Sequence, residues 1–290
     1  MNLYAPSTIK AIRDKHGFKL SKSLGQNFLT DKNIIDKIID GSHIGSGDLV
    51  IEIGPGMGVL THAAALEAGK VIAIELDRNL IPILADTLKE HDNIEIINQD
   101  ILKTDLKELL KQNTEIKGQK RDGVKIIGNL PYYITTPIIM KILEDGVPAD
   151  SITIMLQKEV AERIKAGPGS KTYGAISVAV QYYCEVAPVA NVPREVFFPP
   201  PKVDSMVIRL DIRKEKAISL LDEPTFFSVI KFGFGQRRKT LLNSLTGVCG
   251  FSKEQVDQAL RKVNVDPIRR AETLSMEEFA AVANEIYTGK

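Results

Sequence analysis

Residues 50–60, Val-Ile-Glu-Ile-Gly-Pro-Gly-Met-Gly-Val-Leu, constrain the fold more than any other stretch of this 290-residue chain. A β-branched apolar run leads directly into glycines at Gly54, Gly56 and Gly58, and apolar residues come after them. A strand that turns this tightly into a helix needs backbone conformations and close approaches that a side chain would block. The rest of the large N-terminal part repeats the alternation. Short apolar runs at 49–53, 71–75, 94–98, 125–128, 152–156 and 206–211 read as buried strands. Helical spacing marks Ile34, Ile35, Ile38 and Ile39, then Leu80, Ile83, Leu84 and Leu88, then Ile138, Ile139, Ile142 and Leu143. Strand and helix in alternation predict an α/β fold: a doubly wound, mainly parallel sheet with helices on both faces and ligands at the C-terminal edge of the strands.

The texture changes at Arg213. After the charged link 213–216 no strand pattern recurs, and three helical stretches run to the end. The first, 224–245, places Phe226, Phe227, Ile230, Phe234, Leu241 and Leu245 at helical spacing and is interrupted by Gly233 and Gly235. Ser252 with Gln255 and Ser275 with Glu278 are capping-box pairs that open the next two. The expected division is a large domain over 1–213 and a small all-helical domain over 214–290.

Composition narrows the function classes. With 43% hydrophobic and 26% charged residues the chain reads as an ordinary globular protein, which excludes disorder and collagen-like repeats. No apolar run approaches the roughly 18 residues of a membrane span, and no signal-peptide pattern opens the chain. Cys184 and Cys249 cannot build a disulfide framework, and with four scattered histidines they offer no zinc-ligand spacing, so a reducing cytosol is expected. The net charge of +1 hides an asymmetry. Residues 1–30 hold five Lys/Arg against one Asp, residues 31–116 eight against sixteen acidic, and residues 117–290 twenty-five against twenty. Basic flanks around an acidic middle suit a polyanion on one face and a cationic or polar ligand elsewhere, although solvated helix faces produce such runs too.

The strand ends carry the chemistry. A dinucleotide fingerprint would need a third glycine at 59, where the chain has Val59, so no diphosphate is to be cradled. Glu75, at the end of the second strand, is placed to accept from both hydroxyls of a ribose. Asp100 comes after the third strand and can accept from an adenine amino group; the alternative is that it caps the next helix. Asn129 ends the fourth strand and opens Asn129-Leu130-Pro131-Tyr132-Tyr133. Pro131 forces an extended turn, which frees backbone carbonyls to face a ligand. The Asn129 side-chain oxygen and the Leu130 or Pro131 carbonyl can together accept both protons of an exocyclic amine, with Tyr132 as a flat face for the base. The proline-rich run 197–205 makes a stiff loop that offers Phe197 as the opposite face, unless Phe197 and Phe198 only cover the sheet edge.

Taken together, Leu24-Gly-Gln-Asn-Phe-Leu29, Glu52-Ile-Gly-Pro-Gly-Met-Gly58, Asn129-Leu-Pro-Tyr132 and the Phe-x-Pro-x-Pro-x-Val-x-Ser set from Phe197 to Ser205 resemble the motifs of the ribosomal RNA adenine N6,N6-dimethyltransferases, in that order. The bacterial small-subunit type is the nearest in pattern, and Gln236-Arg-Arg-Lys-Thr-Leu241 and Arg270-Ala-Glu-Thr-Leu274 extend the likeness into the helical part. The resemblance implies a Rossmann-like class I methyltransferase sheet and S-adenosylmethionine as methyl donor, without metal. It implies a cofactor site of Asn27, Leu29, Gly54, Gly56, Glu75, Leu76, Asp100, Ile101 and Asn129, and a reacting site of Asn129, Leu130, Pro131, Tyr132 and Phe197. It also implies two methyl transfers to each of two adjacent adenines in a hairpin near the 3′ end of small-subunit ribosomal RNA. The expected partner is that RNA in a pre-30S particle, met in the cytoplasm by a monomer, with no membrane involved. Lys10, Arg13, Lys15, Lys19 and Lys22, together with Arg237, Arg238 and Lys239, are then candidate RNA-backbone contacts.

Three other readings stay distinguishable. A large-subunit methylase conferring antibiotic resistance would share the Asn-Leu-Pro-Tyr site but mark a different RNA. An assembly factor acting mainly by binding would keep its role when methylation is lost. A nicotinamide dehydrogenase is disfavoured by Val59.

Overall fold

The computed structural model describes residues 2–18, 25–116 and 118–289. Helix α1 (Pro6–His16) has a proline in its first turn and closes on Gly17 in the left-handed region, the termini these two residues favour. Strand β1 (Phe28–Leu29) precedes α2 (Lys32–Ser42), whose first turn is capped by the Asp31 carboxylate accepting from the Ile34 N–H. The alternation then runs β2 (Leu49–Ile53), α3 (Val59–Glu67), β3 (Lys70–Glu75), α4 (Ile81–Thr87), β4 (Ile94–Asn98) and α5 (Leu106–Gln112). A short antiparallel pair, β5 (Glu115–Ile116) and β6 (Gln119–Lys120), leads to β7 (Val124–Asn129), α6 (Thr135–Glu144) and β8 (Ser151–Gln157). Next come α7 (Lys158–Lys165), α8 (Ala175–Tyr183), β9 (Cys184–Val192), β10 (Phe197–Phe198) and β11 (Ser205–Ile212). Helices α9 (Glu223–Gly235), α10 (Leu241–Leu245), α11 (Lys253–Lys262) and α12 (Met276–Thr288) complete the order.

Seven strands form one mixed sheet in the order β4-β3-β2-β7-β8-β11-β9. The five strands from β4 to β8 are parallel, and β11 runs antiparallel to β8. Central β2 is buried along its whole length, as expected of a parallel strand covered on both faces. Alternate residues divide the sheet: Val50, Val71, Ile127, Met155 and Val207 join a core with Ile9, Ile34, Ile38 and Leu60, while Ile51, Ile72 and Ile126 on the other face are equally buried. This is the expected sheet, and the six strand readings all fall within observed strands. Edge strand β4 is half-exposed and carries Glu95, a charge suited to an unpaired edge.

Register aligns the strand ends. Ile53 pairs with Ile74 and with Gly128, so Gly54, Glu75 and Asn129 emerge at the same level, and Glu75 lies opposite Asn98.

The described chain divides into two compact units: residues up to Ala161 with Val186–Ile212, and Glu162–Glu185 with the residues from Arg213 onward. Residues 162–185 therefore group with the C-terminal helices, whereas the sequence places them in the large domain. Aromatic packing across a long sequence separation is the cause. Tyr182 lies 5.4 Å from Phe226 and donates to the Glu223 carboxylate at 2.7 Å, and Tyr183 stacks on Phe227. The stretch read as one helix over 224–245 is two, broken after Gly235. Gly233 is needed there for packing, since a Cβ would come within 3.2 Å of the Ala271 methyl. β9 lacked a strand signal because its burial does not alternate and it holds Pro188.

Both capping boxes form as the sequence predicts. Ser275 and Glu278 exchange backbone-to-side-chain bonds at the start of α12, and Glu278 also pairs with Arg269. Ser275→Ala is expected to lower stability by about 1 kcal/mol in denaturant unfolding, the usual loss for a helix cap.

Candidate active site

A cavity opens at the C-terminal edge of β2, β3, β4 and β7, and residues 25–29 pass along it. Its floor is the glycine turn. Gly54 and Gly56 have φ of +69° and +61°, and a Cβ on Gly56 would stand 3.1 Å from the Phe28 ring, so only glycine keeps both the turn and its neighbour in place. Glu75 is buried here with both oxygens engaged: Oε1 accepts from the Asp77 N–H at 2.8 Å and Oε2 from the Gly56 N–H at 3.3 Å. Burial raises its pKa, and these backbone N–H groups oppose the rise. The carboxylate thus ties the glycine turn to the end of β3 and keeps lone pairs for a ligand.

Asp100 does cap the short helical turn after β4, its Oδ1 accepting from the Leu102 N–H at 3.0 Å, and it still lines the cavity beside Ile101 and the exposed Leu76. Across from it, besides the β1–β10 pairing of Phe28 and Leu29, residues 25–29 are held by two side-chain bonds. Gln26 Nε2 donates to Asp77 Oδ2 at 2.8 Å, and Asn129 Nδ2 donates to the Asn27 carbonyl at 3.0 Å. The second bond orients Asn129, because an amide that gives its N–H to the backbone presents its oxygen elsewhere.

The turn after Asn129 separates the two candidate carbonyls. Pro131 O already accepts from the Ile134 N–H and from Thr135 Oγ1, each at 3.1 Å. Among the described residues nothing donates to the Leu130 carbonyl. The half-buried Tyr132 hydroxyl meets Ser205 Oγ at 2.8 Å, and the Tyr133 ring is 59% exposed at the rim.

Residues 17–287 match the family described as ribosomal RNA adenine dimethylase. The chain belongs to that family. It is 52% identical over 288 residues to ribosomal RNA small subunit methyltransferase A of Clostridioides difficile, covering 99% of this chain and 97% of that protein. Against the Bacillus mycoides protein of the same name the identity is 47%, over 100% and 99% of the two chains. Among solved structures, a dimethyladenosine transferase from Plasmodium falciparum superposes with a TM-score of 0.75 at 27% identity, covering 90% of this chain and 98% of that one. The 23S rRNA methyltransferase ErmE superposes with 0.66 at 25% identity, covering 90% and 99%.

In this dimethylase, Asn27, Leu29, Gly54, Gly56, Glu75, Leu76, Asp100, Ile101, Asn129, Leu130, Pro131 and Tyr132 all line the one cavity. Phe197 does not. It is 4% exposed, pairs with Leu29 in the two-stranded β1–β10 sheet and belongs to the core that includes Phe28 and Val207. A ring so enclosed has no open face for a base; the stiff loop serves to bury it. Phe197→Ala should lower stability by about 3–5 kcal/mol in denaturant unfolding, the range for emptying a buried aromatic site.

Some of the dimethylase's expected RNA-binding cations already have partners within the protein. Lys15 pairs with Asp86 at 2.5 Å, and Lys15 and His16 together hold that carboxyl down to about 2. The Arg13 guanidinium lies 5.6 Å from the Phe198 ring centroid. Lys19 and Lys22 lie outside the described residues, as does Leu24 of the first motif. Arg237 donates to the Lys171 carbonyl at 2.8 Å and pairs with Glu272, while Arg238 and Lys239 are exposed.

One cavity residue escaped the sequence reading. Glu52 is 1% exposed in the middle of the sheet, and its Oε2 is buried without a hydrogen-bond partner. Burial pushes its pKa up to about 8, the Glu75 carboxylate adds to the push, and the Thr61 hydroxyl works the other way without closing a well-formed hydrogen bond. A glutamate inside an otherwise apolar, fully buried strand was the available signal. Members of this family depend on S-adenosylmethionine, and the cavity fits it. An unpaired buried carboxylate suits its cationic end, and Glu75 and Asp100 suit its nucleoside.

The raised pKa has a sign. Between pH 4.5 and about 8 the unfolded chain releases the Glu52 proton while the folded one keeps it, so this group's contribution to stability falls as pH rises through that window. Glu52→Gln should flatten that fall in thermal unfolding scans from pH 5 to 9.

Proposed function

We propose that the protein dimethylates N6 of two adjacent adenines in a hairpin near the 3′ end of small-subunit ribosomal RNA, using S-adenosylmethionine, during small-subunit maturation. What supports the choice of subunit is the 47–52% identity over nearly the whole length to proteins named for the small subunit, against 25% to the large-subunit methyltransferase. The substrate is a partly assembled small subunit, the enzyme acts as a monomer, and it works in the cytoplasm. Among the described residues no helix is long and apolar enough to cross a membrane.

The observation that carries the mechanism is the pair of free acceptors at the head of the turn, Asn129 Oδ1 and the Leu130 carbonyl. An adenine N6 lone pair is delocalised into the ring and is a poor nucleophile. Two acceptors, each taking one N6 proton, favour a pyramidal nitrogen whose lone pair is released toward the donor. Bound S-adenosylmethionine supplies an electrophilic methyl group on a sulfonium. When it is bound, Glu52 would serve its cationic end, Glu75 its ribose hydroxyls, and Asp100 with Leu76 and Ile101 its adenine. Tyr132 gives the target base a face to stack on once that base has left its own helix. No strong general base is required, since the N6 proton becomes acidic as the N–C bond forms and passes to water. Alignment within an enclosed site is the main contribution. Backbone contacts to the RNA come from exposed cations such as Lys10, Arg238 and Lys239, with the salt dependence such contacts confer.

Methyl incorporation into unmethylated small subunits, and separately into large-subunit RNA, tests the reading by nucleoside analysis. Dimethyladenosine in the small subunit alone is expected; product only in large-subunit RNA would overturn the assignment. Asn129→Ala should cut transfer by at least about 100-fold, as loss of preorganised hydrogen-bonding groups does, with RNA binding largely retained. An active Asn129→Ala enzyme would remove the paired-acceptor mechanism.

A further inference from the structure

Ser205 closes the last motif of the sequence, 73 positions after Tyr132, and no step of the methyl transfer uses it. It is 0% exposed, and its Oγ meets the Tyr132 hydroxyl at 2.8 Å. Both ends of this bond are anchored differently. Ser205 is the first residue of β11, paired in register with Gln157 of β8. The residue before it is also fixed, since Asp204 accepts the Lys158 N–H through its carbonyl and the Arg194 N–H through Oδ1. Tyr132 stands instead on the irregular turn between β7 and α6, where the backbone alone does not hold a ring.

We infer that Ser205 is a positioning residue for methyl transfer: its hydroxyl fixes where the Tyr132 ring stands over the cavity, and through it where the stacked adenine stands. The inference rests on the reading of Tyr132 as the base's platform. A tyrosine side chain swings about its first torsion, and anchoring the hydroxyl at the far end of the ring fixes that swing and the direction of the ring axis. Burial raises the pKa of the Tyr132 hydroxyl, so it stays protonated and able to keep the bond across the physiological range. A ring held in advance spares the ordering cost that a mobile side chain pays on binding. More important for rate, a base tilted on a loose ring would move N6 away from Asn129 Oδ1 and the Leu130 carbonyl, and misplacement on the ångström scale is costly. The bond therefore joins the Asn-Leu-Pro-Tyr turn to the Phe-x-Pro-x-Pro-x-Val-x-Ser loop as one device.

The test compares Ser205→Ala, Tyr132→Phe, the double variant and Tyr132→Ala on unmethylated small subunits, with kcat, KM and S-adenosylmethionine affinity measured for each. Ser205→Ala and Tyr132→Phe should each lower kcat by about ten- to a hundredfold. The double variant should fall no further, because both changes remove the same bond. Cofactor affinity should stay at the parental value in all of them. The double variant should also keep the parental unfolding midpoint, since removing both partners of a hydrogen bond leaves neither unsatisfied. Parental kcat in either single variant would overturn the inference, as would losses that multiply in the double variant or that accompany weakened cofactor binding. Tyr132→Ala keeps this failure distinct from that of the underlying reading. A fully active Tyr132→Ala enzyme overturns the platform itself, whereas an inactive one beside a fully active Tyr132→Phe overturns only the role of the bond.

Discussion

Strand register in the parallel sheet is the constraint on which everything else depends. Because Ile53 is paired with both Ile74 and Gly128, the glycine turn, Glu75 and Asn129 leave the sheet at one level and converge on one cavity. A slip of one residue would send Glu75 to the opposite face and move Asn129 out of reach of Asn27. What enforces the register is burial on both faces: β2 has no exposed residue, so any shifted pairing would break core contacts on two sides at once.

That same burial creates the site's electrostatic tension. Glu52 sits where the sheet is driest, with a carboxylate oxygen that nothing satisfies. The fold accepts this cost at the one edge where a cationic ligand is expected, in keeping with the tendency of strongly perturbed carboxyls to mark functional sites. Glu75, on the neighbouring strand, shows the other solution: its charge is balanced by two backbone N–H groups, and it serves at once as brace and as ligand.

Around this rigid edge the remaining parts are held by a few bonds from distant segments. Residues 25–29 are tied down through Gln26 and Asn129, and the reacting turn is tied to β11 through Tyr132 and Ser205. Each of these bonds joins a turn or irregular segment to a residue at or just beyond a strand end. The precision of the sheet is thereby extended to loops, and loops are where the target base must be met.

The sequence by itself determined the alternating strands, the glycine turn, the capping boxes and many of the residues that line the cavity, though not Glu52, because these depend on local periodicity and on the few residue types that tight turns and caps admit. It also made the family legible, since motifs spread along the chain agree. Tertiary structure alone decided the rest. It chose the Leu130 carbonyl over that of Pro131 through bonds from Ile134 and Thr135, and it buried Phe197, which in sequence looks like an exposed loop aromatic. It also grouped residues 162–185 with the helical unit and gave Lys15 and Arg13 partners in Asp86 and Phe198. The physical reason is common to all of these. Whether a polar atom is free, a ring open or a cation available depends on what packs against it from far along the chain, and no local pattern records that.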